Sequence, residues 1–363
     1  MTALKRRLVE IIDTQGPIPV SEYMALCLFD PTDGYYITRE PFGSKGDFVT
    51  APEISQMFGE LVAVWACSAW LASGKPAPVT LAEIGPGRGT LMVDMLRTLD
   101  RLDPGFVALA RVVLVEASPR LTELQKRELA KGGRAKPRWF TDLAEVPAGP
   151  LLVVANELFD ALPARQFVRT AQGWNERMVT LDDQGELAFA LGHAGIDPTL
   201  LPDGADAQPE GTIFEIAPAR EAMMDIIAAR IARDGGAALL IDYGHLRSGF
   251  GDTLQAVLDH GYDPALSSPG EADLTSHVDF ARLIAVAQAH GLQTRSMTQG
   301  EFLVGMGLLE RAGALGAKAD EAGRERLQND VERLAGAQEM GELFKVLMIA
   351  PQGVDLVPTS TAD

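Results

Sequence analysis

A chain of 363 residues with 47% hydrophobic content can bury more than one core, and its dispersed charges leave no tract suited to disorder. A formal net charge of −18 argues against a nucleic-acid partner and favours a cationic one. Two distant cysteines, Cys27 and Cys67, and five histidines without ligand spacing predict a reducing compartment and no metal site. No apolar run reaches the roughly 18 residues of a membrane span. At the N-terminus, MTALKRRLVEIIDTQG has no apolar core of a targeting peptide. Its Leu4, Leu8, Ile11 and Ile12 instead mark one face of an amphipathic helix.

A loop, YYITREPFGSKGDFVTAPEISQMFGE, follows, with Tyr35, Tyr36, Phe42 and Phe48 as candidate core or site aromatics. Within it Thr50-Ala-Pro-Glu53 matches either a capping box or a ligand loop. From Pro78 strands and helices alternate. VTLAEIG, ARVVLVEAS, PRWFTDL, LLVVANE and GGAALLIDYGH read as five strands. TLMVDMLRTLDRL places Leu91, Met95, Leu99 and Leu102 on one helical face, and PRLTELQKRELAKGG is a charged helix closing on glycines. Such alternation implies right-handed crossovers and a parallel sheet with helices on both faces. The connection after Asn156 is too long for one crossover helix, and RQFVRTAQGWNERMVTLDDQGELAFAL alternates with period two around two turn signals. An antiparallel insertion is expected there, then a helix near Arg220–Arg233. Late strands LQTRSMTQ and LFKVLMIAP flank a helical stretch around Phe302–Gln338, and the tail beyond Gln352 should fray.

The first strand ends in AEIGPGRGT, with Gly85, Gly87 and Gly89 at the turn into a helix that Thr90 opens. Glycines there permit a sharp turn and let a ligand approach backbone amides. Their GxGxG spacing departs from the GxGxxG of dinucleotide folds. A nucleoside carrying an amino acid fits better, with Glu83 meeting its ammonium. Glu116, ending strand two, suits a ribose diol, and Asp142, after strand three, an adenine amino group. Asn156 falls at the end of strand four, beside the switch point where open α/β sheets bind ligands. Together these residues fit an S-adenosylmethionine site.

AEIGPGRGT with its downstream acid resembles the class I methyltransferases. The longer blocks GDFVTAPEISQMFGE, ANELFDALP, LIDYGH, ADLTSHVDF and MGELFKVLMI are similar to the MidA family, whose mitochondrial members are complex I assembly factors. The resemblance runs from about Asp30 to Ala350. It implies an α/β Rossmann-like fold with a seven-stranded, mostly parallel sheet, a helical N-terminal region and an α+β insertion between strands four and five. It also implies a protein-arginine methyltransferase making symmetric dimethylarginine on a subunit of respiratory complex I. The expected regions are 1–76, helical and covering the active site; 77–164, the cofactor half of the core; 165–234, the insertion; 235–352, the second half; and 353–363, the tail. Without an Arg/Ser-rich transit segment, a bacterial and cytoplasmic member is expected.

Arginine is a poor nucleophile because its charge is delocalised and always present. Carboxylates pairing with the far side of the guanidinium would draw charge away from the attacking nitrogen and fix its plane. Glu157 and Asp160 are the candidates, with Phe159 and Pro163 as pocket walls. Helix capping by Asn156 and Asp160 is the competing role. His277 in LTSHVDF could contact the substrate or take its proton, or serve structurally. Tyr243, after strand five, could line the pocket or simply pack.

Overall fold

The computed structural model describes residues 2–39, 50–131 and 136–356. Phe42 and Phe48 lie outside the described residues, as do the glycines expected to close the second core helix. The described residues fall into two compact units. One comprises 2–39, 160–222 and 247–279; the other comprises 50–159, 223–246 and 280–356, apart from 132–135.

The second unit contributes seven strands to its sheet: β1 (Val79–Ile84), β2 (Ala110–Val115), β3 (Arg138–Phe140), β4 (Leu151–Asn156), β5 (Gly236–His245), β6 (Gln293–Thr298) and β7 (Phe344–Ala350). Across the sheet they lie in the order β6-β7-β5-β4-β1-β2-β3. Only β7 runs against its neighbours β5 and β6, while the pairs β5–β4, β4–β1, β1–β2 and β2–β3 are parallel. All six residues of β1 are buried, as expected of a strand covered on both faces. The chain steps outward from β1 to β2 and β3, then returns to β4 on the other side of β1. Ile84 is thereby registered against Ala155, and the turns after β1 and β4 are neighbours at a topological switch point.

The helix Thr90–Leu102 buries Leu91, Met92, Asp94, Met95 and Leu99. Leu102, expected on that face, is 50% exposed because it ends the helix. Against this helix packs Gln56–Ala72, apolar nearly all round, where Gly59 lets the two backbones approach: a Cβ there would stand 2.6 Å from Asp94 Cβ. That burial is why residues 51–72 belong with the sheet unit rather than with the N-terminus, as a 1–76 region would have it. Helices Gln299–Gly305, Leu308–Gly316, Glu321–Ala335 and Met340–Leu343 make up the late helical stretch. The tail does not fray at Gln352, since Leu356 is buried in the core and Gln293 donates to the carbonyl of Val354.

The first unit holds the helices Ala3–Gln15 and Val20–Phe29 and an antiparallel sheet in which Arg165–Thr170, Gly173–Leu181 and Leu187–Gly195 form a meander. Its two hairpins fall at the expected turn signals. Leu4, Leu8 and Ile12 are buried together with Tyr23, Met24, Cys27 and Tyr35. Residues 247–279, expected within the second half of the core, join this unit through the strands Gln255–Leu258, Gly261–Asp263 and Asp273–Thr275. Both cysteines are free and buried.

Candidate active site

At the end of β1 the Gly85 N–H donates to the carbonyl of Val115 at 3.0 Å, extending the ladder by one step. Then the backbone turns left-handed at Gly85 (φ 66°), Gly87 (φ 50°) and Gly89 (φ 84°). Other residues adopt that region only under strain. A Cβ on Gly85 would also lie 2.8 Å from Leu158 Cδ1. Gly89 precedes the helix Thr90–Leu102 and offers no side-chain cap, while Thr90 Oγ1 donates to Glu53 Oε1 at 2.5 Å.

Glu83 is 3% exposed, and burial lifts its carboxyl to about 8; a backbone hydrogen bond from Met92 opposes the rise and the nearby charge of Glu116 adds to it. Its Oε2 is buried without a hydrogen-bond partner. Glu116 is also raised by burial, although Oε1 accepts the Ser118 N–H at 2.8 Å and Oε2 accepts Gln125 Nε2 at 2.9 Å. Gln125, fully buried, donates to the Gly87 carbonyl at 2.8 Å and accepts Trp139 Nε1 at 3.0 Å, so one side chain ties the glycine loop to the acid of β2. Sequence reasoning missed it. The signal is a lone amide in the stripe Leu121, Gln125, Leu129 of an otherwise charged helix, Pro119–Ala130. Asp142 is exposed, and its Oδ1 caps the short helix Leu143–Glu145 by accepting the Ala144 N–H at 2.8 Å. Buried Arg230 holds the far side of that turn through the carbonyls of Leu143, Val146 and Pro147.

At the end of β4, Asn156 donates through Nδ2 to Glu157 Oε1 at 3.0 Å, and its own Oδ1 is buried without a partner. Glu157 Oε1 also accepts the Ala51 N–H at 3.2 Å. Neither residue caps a helix here. Glu157 is one of few non-glycine residues with positive φ, at 50°, a conformation that costs about 1–3 kcal/mol and persists where the surroundings enforce it. The enforcement comes from Asp242, missed in the sequence and 1% exposed. Its Oδ2 accepts the N–H groups of Leu158 (3.1 Å) and Phe159 (2.9 Å), and its Oδ1 that of Tyr243 (2.9 Å). Phe159 is buried. Tyr243 packs edge-on to Phe344 at 5.5 Å within the core.

Asp160, Pro163 and His277 belong to the first unit. There Arg220, 3% exposed and also missed, gathers them: its guanidinium donates to the carbonyls of Asp160, Leu162, Ser276 and His277 and to Ser276 Oγ. The Ser276 N–H completes the link to the Asp160 carbonyl at 3.2 Å. Asp160 is buried, whereas His277 is half-buried with its N–H on Thr253 Oγ1.

The sheet unit thus presents a left-handed glycine turn, two buried acceptor oxygens without partners and the further acids Glu116 and Glu157, all at neighbouring strand ends. A ligand with an ammonium and a ribose diol would satisfy them, and these donors and acceptors fit S-adenosylmethionine. A family model described as "Putative S-adenosyl-L-methionine-dependent methyltransferase" matches residues 61–298, more than half the chain. The chain belongs to this methyltransferase family. Protein arginine methyltransferase NDUFAF7, mitochondrial, of Mus musculus and of Homo sapiens are each 37% identical over 97% of this chain, covering 85% and 84% of their own lengths. A Burkholderia thailandensis protein solved with S-adenosyl-homocysteine bound is 31% identical, with a TM-score of 0.82 over 97% of this chain and 92% of that one. A native crystal structure of a Burkholderia thailandensis protein gives a TM-score of 0.81 at 30% identity over 97% of this chain. In this methyltransferase, Glu83 would hold the cofactor's ammonium, Glu116 its ribose, and the amides of the glycine loop would line its approach. When bound, the cofactor supplies an electrophilic methyl group on a sulfonium. Among the described residues no group of His, Cys, Asp and Glu is arranged to hold a metal, and no helix is long and apolar enough to cross a membrane.

Proposed function

We propose that this methyltransferase acts on an arginine of a protein, with a subunit of respiratory complex I as the acceptor. The observation that carries the reading is the carboxylate of Glu157, held at the end of β4 by the Ala51 N–H and by Asn156. A fixed carboxylate at the switch point can pair with a guanidinium, orient its plane and localise its charge away from the attacking nitrogen. The arginine acceptor is supported by the protein arginine methyltransferases to which 97% of the chain is similar. Glu157 acts only through position and charge; it need not move a proton to raise the nucleophile's reactivity.

Tritiated S-adenosylmethionine supplied with protein extract from cells lacking the chain tests this. Labelled methylarginine after acid hydrolysis, in a subunit-sized band, is expected. Label in lysine or glutamine would remove the arginine assignment, and label in arginine of an unrelated protein would remove the acceptor.

A further inference from the structure

Thr50-Ala-Pro-Glu53 is written as a capping box, yet the box does not form. Thr50 makes no side-chain cap, and its carbonyl accepts the N–H groups of Glu53 at 2.8 Å and Ile54 at 3.2 Å. The Glu53 carboxylate turns instead to the glycine loop and accepts the hydroxyl of Thr90. Thr90 is the first residue of its helix and follows Gly89, which supplies no side chain, so the carboxylate comes to a helix N-terminus that favours negative charge. Two residues earlier on the same turn, Ala51 donates its N–H to Glu157. Ala51 is fully buried, and Ser55, Met57 and Phe58 just beyond are buried too, so the turn Ala51–Ile54 is anchored rather than free to drift.

We propose that Glu53 is a positioning residue for methyl transfer, coupling the glycine loop to Glu157 through this single turn. The proposal rests on Glu157 being the acceptor-side carboxylate. Three left-handed glycines in five residues make a loop with much conformational freedom to lose, and a latch from outside lowers that cost before the cofactor arrives. Glu157, in its strained conformation, equally depends on donors that fix its carboxylate. One turn meets both needs, so loosening one end should be felt at the other.

Calorimetry with S-adenosylhomocysteine on the full chain, with thermal unfolding as control, tests the latch. Glu53→Ala and Thr90→Val should each weaken binding by about tenfold or more, the range expected for a lost charge-assisted hydrogen bond. Glu53→Gln keeps an acceptor oxygen for Thr90 and should stay within about threefold of wild type. Hydrogen exchange of a peptide spanning 50–56 should slow on ligand binding in wild type and not in Glu53→Ala. Glu157→Gln, which keeps an acceptor oxygen for the Ala51 N–H, should bind S-adenosylhomocysteine like wild type. Wild-type affinity and exchange response in both Glu53→Ala and Thr90→Val would overturn the proposal, as would Glu53→Gln binding as weakly as Glu53→Ala. Failure of the Glu157 reading is seen separately, as wild-type methyl transfer to cell extract by Glu157→Gln.

Discussion

Replacing Glu83 by glutamine should stabilise the cofactor-free protein while weakening its hold on the cofactor. The carboxyl is buried and titrates near 8 instead of its ordinary 4.5, so the fold tolerates its protonated form. Unfolding releases it to ionise. Its contribution to stability is therefore fully present below about pH 4.5, falls as pH rises, and is lost once pH passes about 8. At roughly 1.4 kcal/mol per pH unit, the penalty reaches about 3 kcal/mol at pH 7. Glutamine removes that penalty. It adds two N–H donors to a buried site, which takes back about 1–2 kcal/mol, so a net gain of about 1–2 kcal/mol is expected.

Urea unfolding of wild type and Glu83→Gln from pH 5 to 8.5, without cofactor, is the assay. Wild type should lose stability steadily across pH 6–8 and the variant should lose markedly less. Meeting an ammonium requires the carboxylate to give up its proton, so wild-type binding of S-adenosylhomocysteine at pH 7 should release about one proton. That release makes the calorimetric enthalpy depend on the buffer's heat of ionisation. The variant should show neither proton release nor strong binding. Equal slopes between pH 6 and 8 in the two proteins, or buffer-independent enthalpy in wild type, would refute the reasoning.

Gly85→Val should cost about 1–3 kcal/mol of stability, from a β-branched residue at positive φ beside Leu158, and abolish S-adenosylhomocysteine binding in a protein that still unfolds cooperatively. Retained binding would reduce the loop to a turn. Glu157→Gln should lower methyl transfer by about 100- to 1000-fold, the loss expected for one electrostatic contact of about 3–4 kcal/mol, with cofactor affinity unchanged. Asp242→Asn should lower stability by about 2–3 kcal/mol, because an amide turned toward three backbone N–H groups loses acceptors and adds donors; a melting temperature equal to wild type would contradict this.

The sheet was readable because its central strands β1, β2, β4 and β5 are largely apolar and buried, and the glycine spacing with acids at successive strand ends pointed to the cofactor. Periodicity also marked the hairpins between Arg165 and Gly195. Other features depend on long-range partners that local pattern does not encode. Asp242 looks like one more acid at a strand end, but it spends both oxygens on three amides. Arg220 sits on a helix whose sequence reads as charged and exposed, yet its guanidinium is consumed by carbonyls some 56 to 60 positions away. Glu53 satisfies a capping pattern letter for letter and bonds elsewhere, because Thr90 is nearer to its carboxylate in the fold. The unit boundaries escaped for the same reason, since which segment packs on which core is decided by burial rather than by order along the chain.

Glu83, Asn156 and Glu157 share one property: each stands in a state the isolated fold would not choose. Glu83 is a carboxyl kept neutral by burial, Asn156 carries an acceptor oxygen with no partner, and Glu157 holds a left-handed backbone. Unsatisfied buried acceptors cost about 1–3 kcal/mol each, and a strained backbone a similar amount. Such costs at random positions would be expected to be relieved by substitution. These three stand together at the ends of β1 and β4, two adjacent strands, where a preorganised site places groups that a ligand completes. Binding of the cofactor should therefore raise the unfolding free energy of wild type by RT ln(1 + L/Kd), with L the free ligand concentration, and that of the weakly binding Glu83→Gln protein by far less. The gap between the two, measured at one fixed concentration of S-adenosylhomocysteine, reports the affinity that the Glu83 carboxylate contributes, and equal increments in the two proteins would refute its role.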